Sequence, residues 1–238
     1  MRQTLHLHWL PWALAALPVS LLADGVIVDK VYHPYVDALE YELEFRSVLQ
    51  APQPGGPNTS HWHQLSLGHA IGDDVFFEVY TIGAKQRGGG LDTRAWEAEL
   101  KWQLTEQGEY ATDWGLFMEY ENELARSAHE ITFGLLAERE FGRWSGAANF
   151  FVVNEWGRDV QEEFETALAL QARYRRSQFI EPGVEFYAGQ DNYSVGPTLQ
   201  GDIRLRPRQS LHWEAGALFG LTKASPDNSL RLLLEYEF

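Results

Sequence analysis

Ser210 and His212 stand two residues apart, and on an extended strand that spacing puts both side chains on one face. A serine beside a histidine base, with an Asp or Asn orienting the ring, is an arrangement that hydrolyses esters. The pair is the candidate catalytic site of an ester hydrolase; the alternative is that His212 is one polar lining residue among many. His61 and His63 share a face in the same way and could hold a transition metal, but two histidines near a strand end need no metal to explain them. His129-Glu130 opens like the helical zinc-protease motif, yet Phe133 stands where its second histidine is required. Gly88-Gly89-Gly90 precedes a strand pattern rather than a helix, so it reads as a loop tip and not a phosphate cradle. The chain has no cysteine, which removes disulfides, thiolate metal sites and thiol nucleophiles. No resident metal or cofactor is implied.

Charge carries the stronger signal. The 34 Asp and Glu against 19 Lys and Arg leave a formal charge of −15, which disfavours a nucleic-acid partner. The acids are also ordered along the chain. From residue 38, Leu39, Tyr41, Leu43 and Phe45 alternate with Glu40, Glu42, Glu44 and Arg46, the period of a strand with one apolar and one charged face. Similar alternation recurs over 61–71, 74–84, 92–104, 110–121, 128–140, 143–155, 163–175, 179–189, 193–205, 209–221 and 229–238. That makes about twelve strands of about 10–13 residues, the length a tilted strand needs to cross a bilayer and roughly twice that of strands in soluble proteins. Short connections at 72–73, 105–109, 141–142, 176–178 and 207–208 alternate with generally longer ones at 50–60, 86–90, 122–127, 156–162 and 222–228, with 190–192 a short exception.

Residues 1–23 read as a cleaved signal peptide: Arg2 precedes an apolar run from Leu10 to Leu22 that Pro11 and Pro18 interrupt, and Ala23 offers a cleavage site. Residues 24–37, with His33-Pro34-Tyr35, form a lead-in that reads as a simple entry loop, a periplasmic arm or a partial plug. Residues 38–238 carry the strands. Mean hydropathy is negative, which argues against a helical membrane protein but not against a barrel, where only alternate residues meet lipid.

The last strand names the class. Leu230, Leu232, Leu234, Tyr236 and Phe238 fall on one face, with Arg231, Leu233, Glu235 and Glu237 on the other. This resembles the terminal strand of bacterial outer-membrane β-barrels, in which an alternating strand ending in Phe is the signal read by the assembly machinery. Leu232, Leu234, Tyr236 and Phe238 are the residues that would carry it. The resemblance implies an all-β, antiparallel, up-and-down transmembrane barrel with short periplasmic turns, longer outer loops and outer-membrane lipid as its surroundings. Trp102, Trp114, Tyr174 and Trp213 would then form an aromatic girdle at the periplasmic end, and Trp96 and Tyr120 one at the outer end.

With the apolar face on lipid, the other parity lines the lumen: Glu97, Glu99, Lys101, Glu119, Glu165, Arg173, Glu185, Asp202, Arg204, Glu214, Arg231 and Glu235 among others. Acids outnumber bases there. Two consequences compete, a lining that attracts cations and a packed interior in which carboxylates pair with Arg46, Lys101, Arg173, Arg175, Arg204 and Arg231. Twelve-stranded relatives in this class include channels for acidic oligosaccharides or nucleosides and lipid-hydrolysing enzymes. The acidic-sugar channels carry Arg-rich lumens, the opposite bias from this chain. The expectation is a narrow passive channel for small cationic or neutral solutes. The alternatives are a lipid hydrolase and a non-conducting barrel that meets a periplasmic partner through residues 24–37.

Overall fold

Alternation sorts the side chains of each strand before any tertiary contact forms, so closing the sheet puts every charged face on the same side. The computed structural model describes residues 28–38, 40–51, 59–86, 90–124, 127–158, 160 and 162–238. The signal-peptide expectation for residues 1–23 and the facing of Leu39 lie outside the described residues. Twelve strands run in order: β1 Tyr41–Gln50, β2 Thr59–Ile71, β3 Val75–Gln86, β4 Leu91–Gln103, β5 Asp113–Glu123, β6 Ala128–Phe141, β7 Trp144–Gly157, β8 Glu163–Tyr174, β9 Glu181–Ala188, β10 Tyr193–Arg206, β11 Gln209–Gly220 and β12 Asn228–Glu237. Each pairs antiparallel with its neighbours in sequence, and β1 pairs with β12 to close the barrel. At the seam the Tyr41 N–H donates to the Phe238 carbonyl at 3.1 Å and the Phe238 N–H to that of Tyr41 at 2.9 Å. Closure gives every strand two neighbours, although Glu163 to Ala167 of β8 pair with β7 alone because the β9 ladder covers only Leu168 to Arg173.

The side chains are sorted opposite to those of a soluble barrel. On β1 the outward Tyr41, Leu43, Phe45 and Leu49 are exposed, while Glu42, Glu44, Arg46 and Val48 are buried. On β12 Leu230, Leu232 and Leu234 are exposed and Ser229, Arg231 and Leu233 buried.

Three boundaries depart from the alternation and have local causes. β5 begins at Asp113 rather than near 110. The Asp113 carboxylate accepts the Gly108 N–H at 3.1 and 3.0 Å, and the Thr105 hydroxyl accepts the Trp114 N–H at 2.8 Å. These side-chain bonds hold 104–112 as a turn, with Gly108 at φ +76°. The expected short link at 105–109 is therefore longer. β7 runs through Gly157, so Trp156 belongs to a strand and not to a loop. β9 spans only Glu181–Ala188; Ser177 and Ile180 form an isolated bridge before it, and Pro182 has no N–H to give a ladder.

Inside the barrel runs the segment before β1. Val28 and Val31 pack with Ala147, Ala169, Tyr187 and Leu218, and Tyr32 with Phe117 and Leu136, Phe151 touching both groups. The inner wall makes room for them with small residues. A Cβ on Gly115 would meet the Cβ of Pro34 at 3.0 Å, and one on Gly134 would meet the Phe151 ring at 2.7 Å. Burial of a Val or Leu-sized side chain contributes about 1.5–3 kcal/mol, so packing alone gives the arm a substantial hold on the wall.

Candidate functional site

The interior is built from the inward parity of the strands, and tilt makes each hydrogen-bonded row climb as it passes from strand to strand. One row reads Glu235, Glu44, Ser66, Tyr80, Glu97, Glu121, Glu130, Glu155, Glu163 in successive Cα partners. It starts near the end that carries the β1–β12 seam and finishes on the first residue of β8, at the opposite end. A second row reads Glu237, Glu42, Gly68, Glu78, Glu99, Glu119, Thr132. Carboxylates thus wind around the inner wall from one mouth of the barrel to the other.

The arm lies across this wall and is tied to it by six of the eight residues from Asp29 to Val36. Asp29 pairs with Arg46, and the Lys30 ammonium sits 2.6 Å from Glu44. The Tyr32 N–H donates to Asn149 Oδ1 at 2.7 Å, the Asn149 amide returns a bond to the Tyr32 carbonyl at 2.8 Å, and the Tyr32 hydroxyl donates to Glu99 at 2.6 Å. His33 Nδ1 lies 2.7 Å from Glu138, the Tyr35 hydroxyl donates to Asp113 at 2.9 Å, and the Val36 N–H to Gln103 at 2.7 Å.

Two cationic knots complete the interior. Arg231, its side chain fully buried, donates to Glu185 at 2.8 Å and Glu214 at 2.7 Å, and also to Tyr187 and the Asp29 carbonyl. Glu138 receives Arg173 at 3.2 Å, Ser145 and the His33 ring, with Arg175 at 3.8 Å. Glu44, Asn149, Glu138, Glu185 and Gln200 are at most 2 % exposed, so in this conformation arm and side chains fill the space between them.

The residues singled out from sequence separate cleanly. Glu97, Glu99, Glu185, Glu214 and Arg231 are buried on the inner face. Lys101, Glu119, Glu165, Arg173 and Glu235 are half-buried there. Asp202 is half-buried and bonded to His212, and Arg204, of the same parity, is exposed near the end of β10, beside the irregular register at Arg204/Arg206. Ser210 and His212 are not brought together as a catalytic pair. The Ser210 hydroxyl donates to Glu237, while the two His212 nitrogens lie 2.7 Å from Asp202 and 3.2 Å from Glu214. His61 and His63 face outward beside Leu49 and Ser47, their rings 6.3 Å apart.

Outward aromatics gather toward the two ends. Trp144 and Tyr174 lie 5.1 Å apart and Tyr236 and Phe238 5.3 Å at the seam end; Trp96 and Tyr120 lie 5.4 Å apart at the other. Trp102, Trp114 and Trp213 share the outward parity of the seam-end group. Sequence reasoning missed Asn149, Glu78 and the arm residues Lys30 and Tyr32. A signal for the arm's bed was present: inward Gly115, Gly134, Ala147 and Ala169 are too small to fill a barrel by themselves.

At the seam end Glu40 precedes β1. Burial, then the neighbouring Glu237 and Asp37 charges, push its carboxyl up to about 8. A carboxyl raised in the native state holds a proton that the unfolded chain has released, so stability falls as pH rises from the ordinary value of 4.5 through about 8. Glu40→Gln is expected to flatten the pH dependence of the unfolding midpoint in detergent across that window; identical slopes in both proteins would show that Glu40 does not contribute.

No protein-family model matches the chain, and no curated protein matches it in sequence. Solved structures do. The KdgM porin in complex with disordered oligogalacturonate superposes with a TM-score of 0.56 at 9% identity, covering 83% of this chain and 98% of that one. The fold is that of an outer-membrane β-barrel. A second KdgM porin structure gives 0.53 at 10% identity over 83% and 98%. The β domain of the Bordetella autotransporter BrkA gives 0.53 at 11% over 84% and 99%. At these identities the barrels share an architecture, and the residues that line each one are its own.

Proposed function

We propose that this chain resides in the bacterial outer membrane and acts as a narrow passive channel for small cationic or neutral solutes, closed in the present conformation by residues 28–37. The observation that carries the reading is the climbing row of carboxylates from Glu235 to Glu163, which offers a cation one acidic site after another across the barrel. Oligogalacturonate is not carried over from the KdgM porin. It is an acidic sugar, and the inward face here is richer in carboxylates than in cationic groups. In this orientation the seam end faces the periplasm, where both ends of a bacterial barrel belong, and the arm enters from that side.

The membrane address has its own test. Leu65 is 48% exposed on the outward face in the middle of β2. On a water-facing surface Leu65→Arg would change stability little; at the bilayer midplane an arginine costs about 2–4 kcal/mol. The expected result is a lowered unfolding free energy in lipid bilayers, and no change would place that face in water.

The channel is tested in planar bilayers by the reversal potential under a KCl gradient. Openings are expected to be rare and cation-selective, with Glu97→Gln plus Glu99→Gln lowering the cation preference. Anion selectivity, or silence in wild type and in every arm-loosened variant, would overturn the reading in favour of a non-conducting barrel. The alternative of a periplasmic partner bound through residues 24–37 has to compete with the contacts that hold Asp29 to Val36 inside the barrel.

A further inference from the structure

We infer that Glu42, Glu44 and Glu78, together with Tyr80, form a binding site for a primary alkylammonium group, occupied by the chain's own Lys30 and available to linear diamines and polyamines when the arm withdraws. One carboxylate oxygen from each of the three acids lies within 4.8 Å of the others, and the residues are 7%, 0% and 3% exposed. An acidic cluster alone would say little. Two separate observations point to its ligand.

The first is that an organic ammonium is already seated in it. Lys30 Nζ lies 2.6 Å from Glu44 Oε2, 3.0 Å from the Tyr80 hydroxyl and 3.9 Å from Glu78 Oε2. Two of its three donors have hydrogen-bond acceptors and Glu78 stands by as an ion-pair neighbour beyond hydrogen-bond distance. The Tyr32 and Tyr80 ring centroids stand 5.0 and 5.7 Å away. Aromatic faces beside a cation favour a large, weakly hydrated ammonium. The second is that Glu42 Oε1 is buried with no hydrogen-bond partner among the described residues. Lys30 satisfies one end of the cluster and leaves Glu42 Oε1 without a donor; a molecule with a second nitrogen on a short methylene chain can supply one.

Glu42, Glu44, Glu78 and Tyr80 all lie on β1 and β3, strands pinned by the barrel ladder, so the site persists when the arm leaves. Lys30 is the only member besides the Tyr32 ring that moves with the arm. A lysine side chain is a tethered butylammonium, which makes the arm a competitor for cationic solutes. The physiological ligand rests on the channel reading; the ammonium site itself does not.

The test is chemical rescue in the full-length protein folded in detergent. Lys30→Ala is expected to lower the temperature at which the folded band is lost in heat-modifiable gel migration. Butylammonium and 1,4-diaminobutane should restore it, and tetramethylammonium, which has no N–H, should not. Adding Glu44→Gln to Lys30→Ala should abolish the rescue. Calorimetric titration of 1,4-diaminobutane should give roughly tenfold or greater tightening in Lys30→Ala over wild type, because the wild-type site is filled for most of the time. If Lys30→Ala does not fold, Lys30→Met, which keeps the chain length, takes the same titrations. Absence of rescue and binding in a folded variant overturns the inference, as does rescue by Ca²⁺ with no response to amines. A barrel that binds amines yet never conducts leaves the site standing and refutes only the channel; one that conducts cations and ignores amines refutes only the site.

Discussion

Arg231→Met is expected to cost about 3–5 kcal/mol of stability, the usual penalty for stripping one partner from a buried ion network. The guanidinium has no solvent exposure and binds Glu185 and Glu214 at 2.8 and 2.7 Å. Removing it leaves two carboxylates facing each other with no water to relieve them. It also takes one donor each from the Asp29 carbonyl and the Tyr187 hydroxyl, which keep only their bond to each other and that of Tyr187 to Glu185. Equilibrium unfolding in detergent or bilayers measures the loss. A triple change, Arg231→Met with Glu185→Gln and Glu214→Gln, should recover much of it, since removing a whole buried ion group is often neutral. If the single variant is as stable as wild type, water reaches Arg231 and the packed interior is wrong.

Asn149→Leu is expected to loosen the arm while sparing the barrel. Asn149 is fully buried on β7 and binds both the N–H and the carbonyl of Tyr32 at 2.7 and 2.8 Å, the role a strand partner would play. Leucine keeps the volume and offers no hydrogen bond. Two backbone groups left buried without partners cost about 1–3 kcal/mol each, so the arm-out population should rise roughly 30-fold or more. In planar bilayers the open probability should increase by that order. Because the chain has no cysteine, Val31→Cys in the same background reports arm exposure through reaction with a water-soluble thiol reagent. An Asn149→Leu barrel that stays silent, with Cys at position 31 unreactive, would mean that the arm is a permanent part of the wall.

The fold was legible because period-two alternation is a local property. Leu43, Phe45, Leu232 and Leu234 declare their face from sequence, and strand after strand repeats the pattern until only a closed sheet satisfies it. Two of the three boundaries that differed, at Asp113 and Trp156, turned on side-chain hydrogen bonds and on a β6–β7 ladder that continues through Trp156 to Gly157. The interior was legible only as a list. Glu97 and Glu99 could be placed inward, but Glu78 and Asn149 matter through residues 48 and 117 positions away, Lys30 and Tyr32, and no local spacing carries that information.

What the sequence determined by itself is the sorting of side chains into an apolar outer face and a charged inner one, along with the near-even succession of strands and turns. Tertiary structure alone decided the use of that inner face. Strand tilt turned isolated glutamates into continuous rows, and closure of β1 on β12 brought Glu44 beside Glu235. The path of residues 28–37 into the barrel set which carboxylates meet a lysine, a histidine or a tyrosine. The physical reason is that facing depends on a residue's own neighbours in the chain, whereas pairing depends on register and on a segment without periodicity.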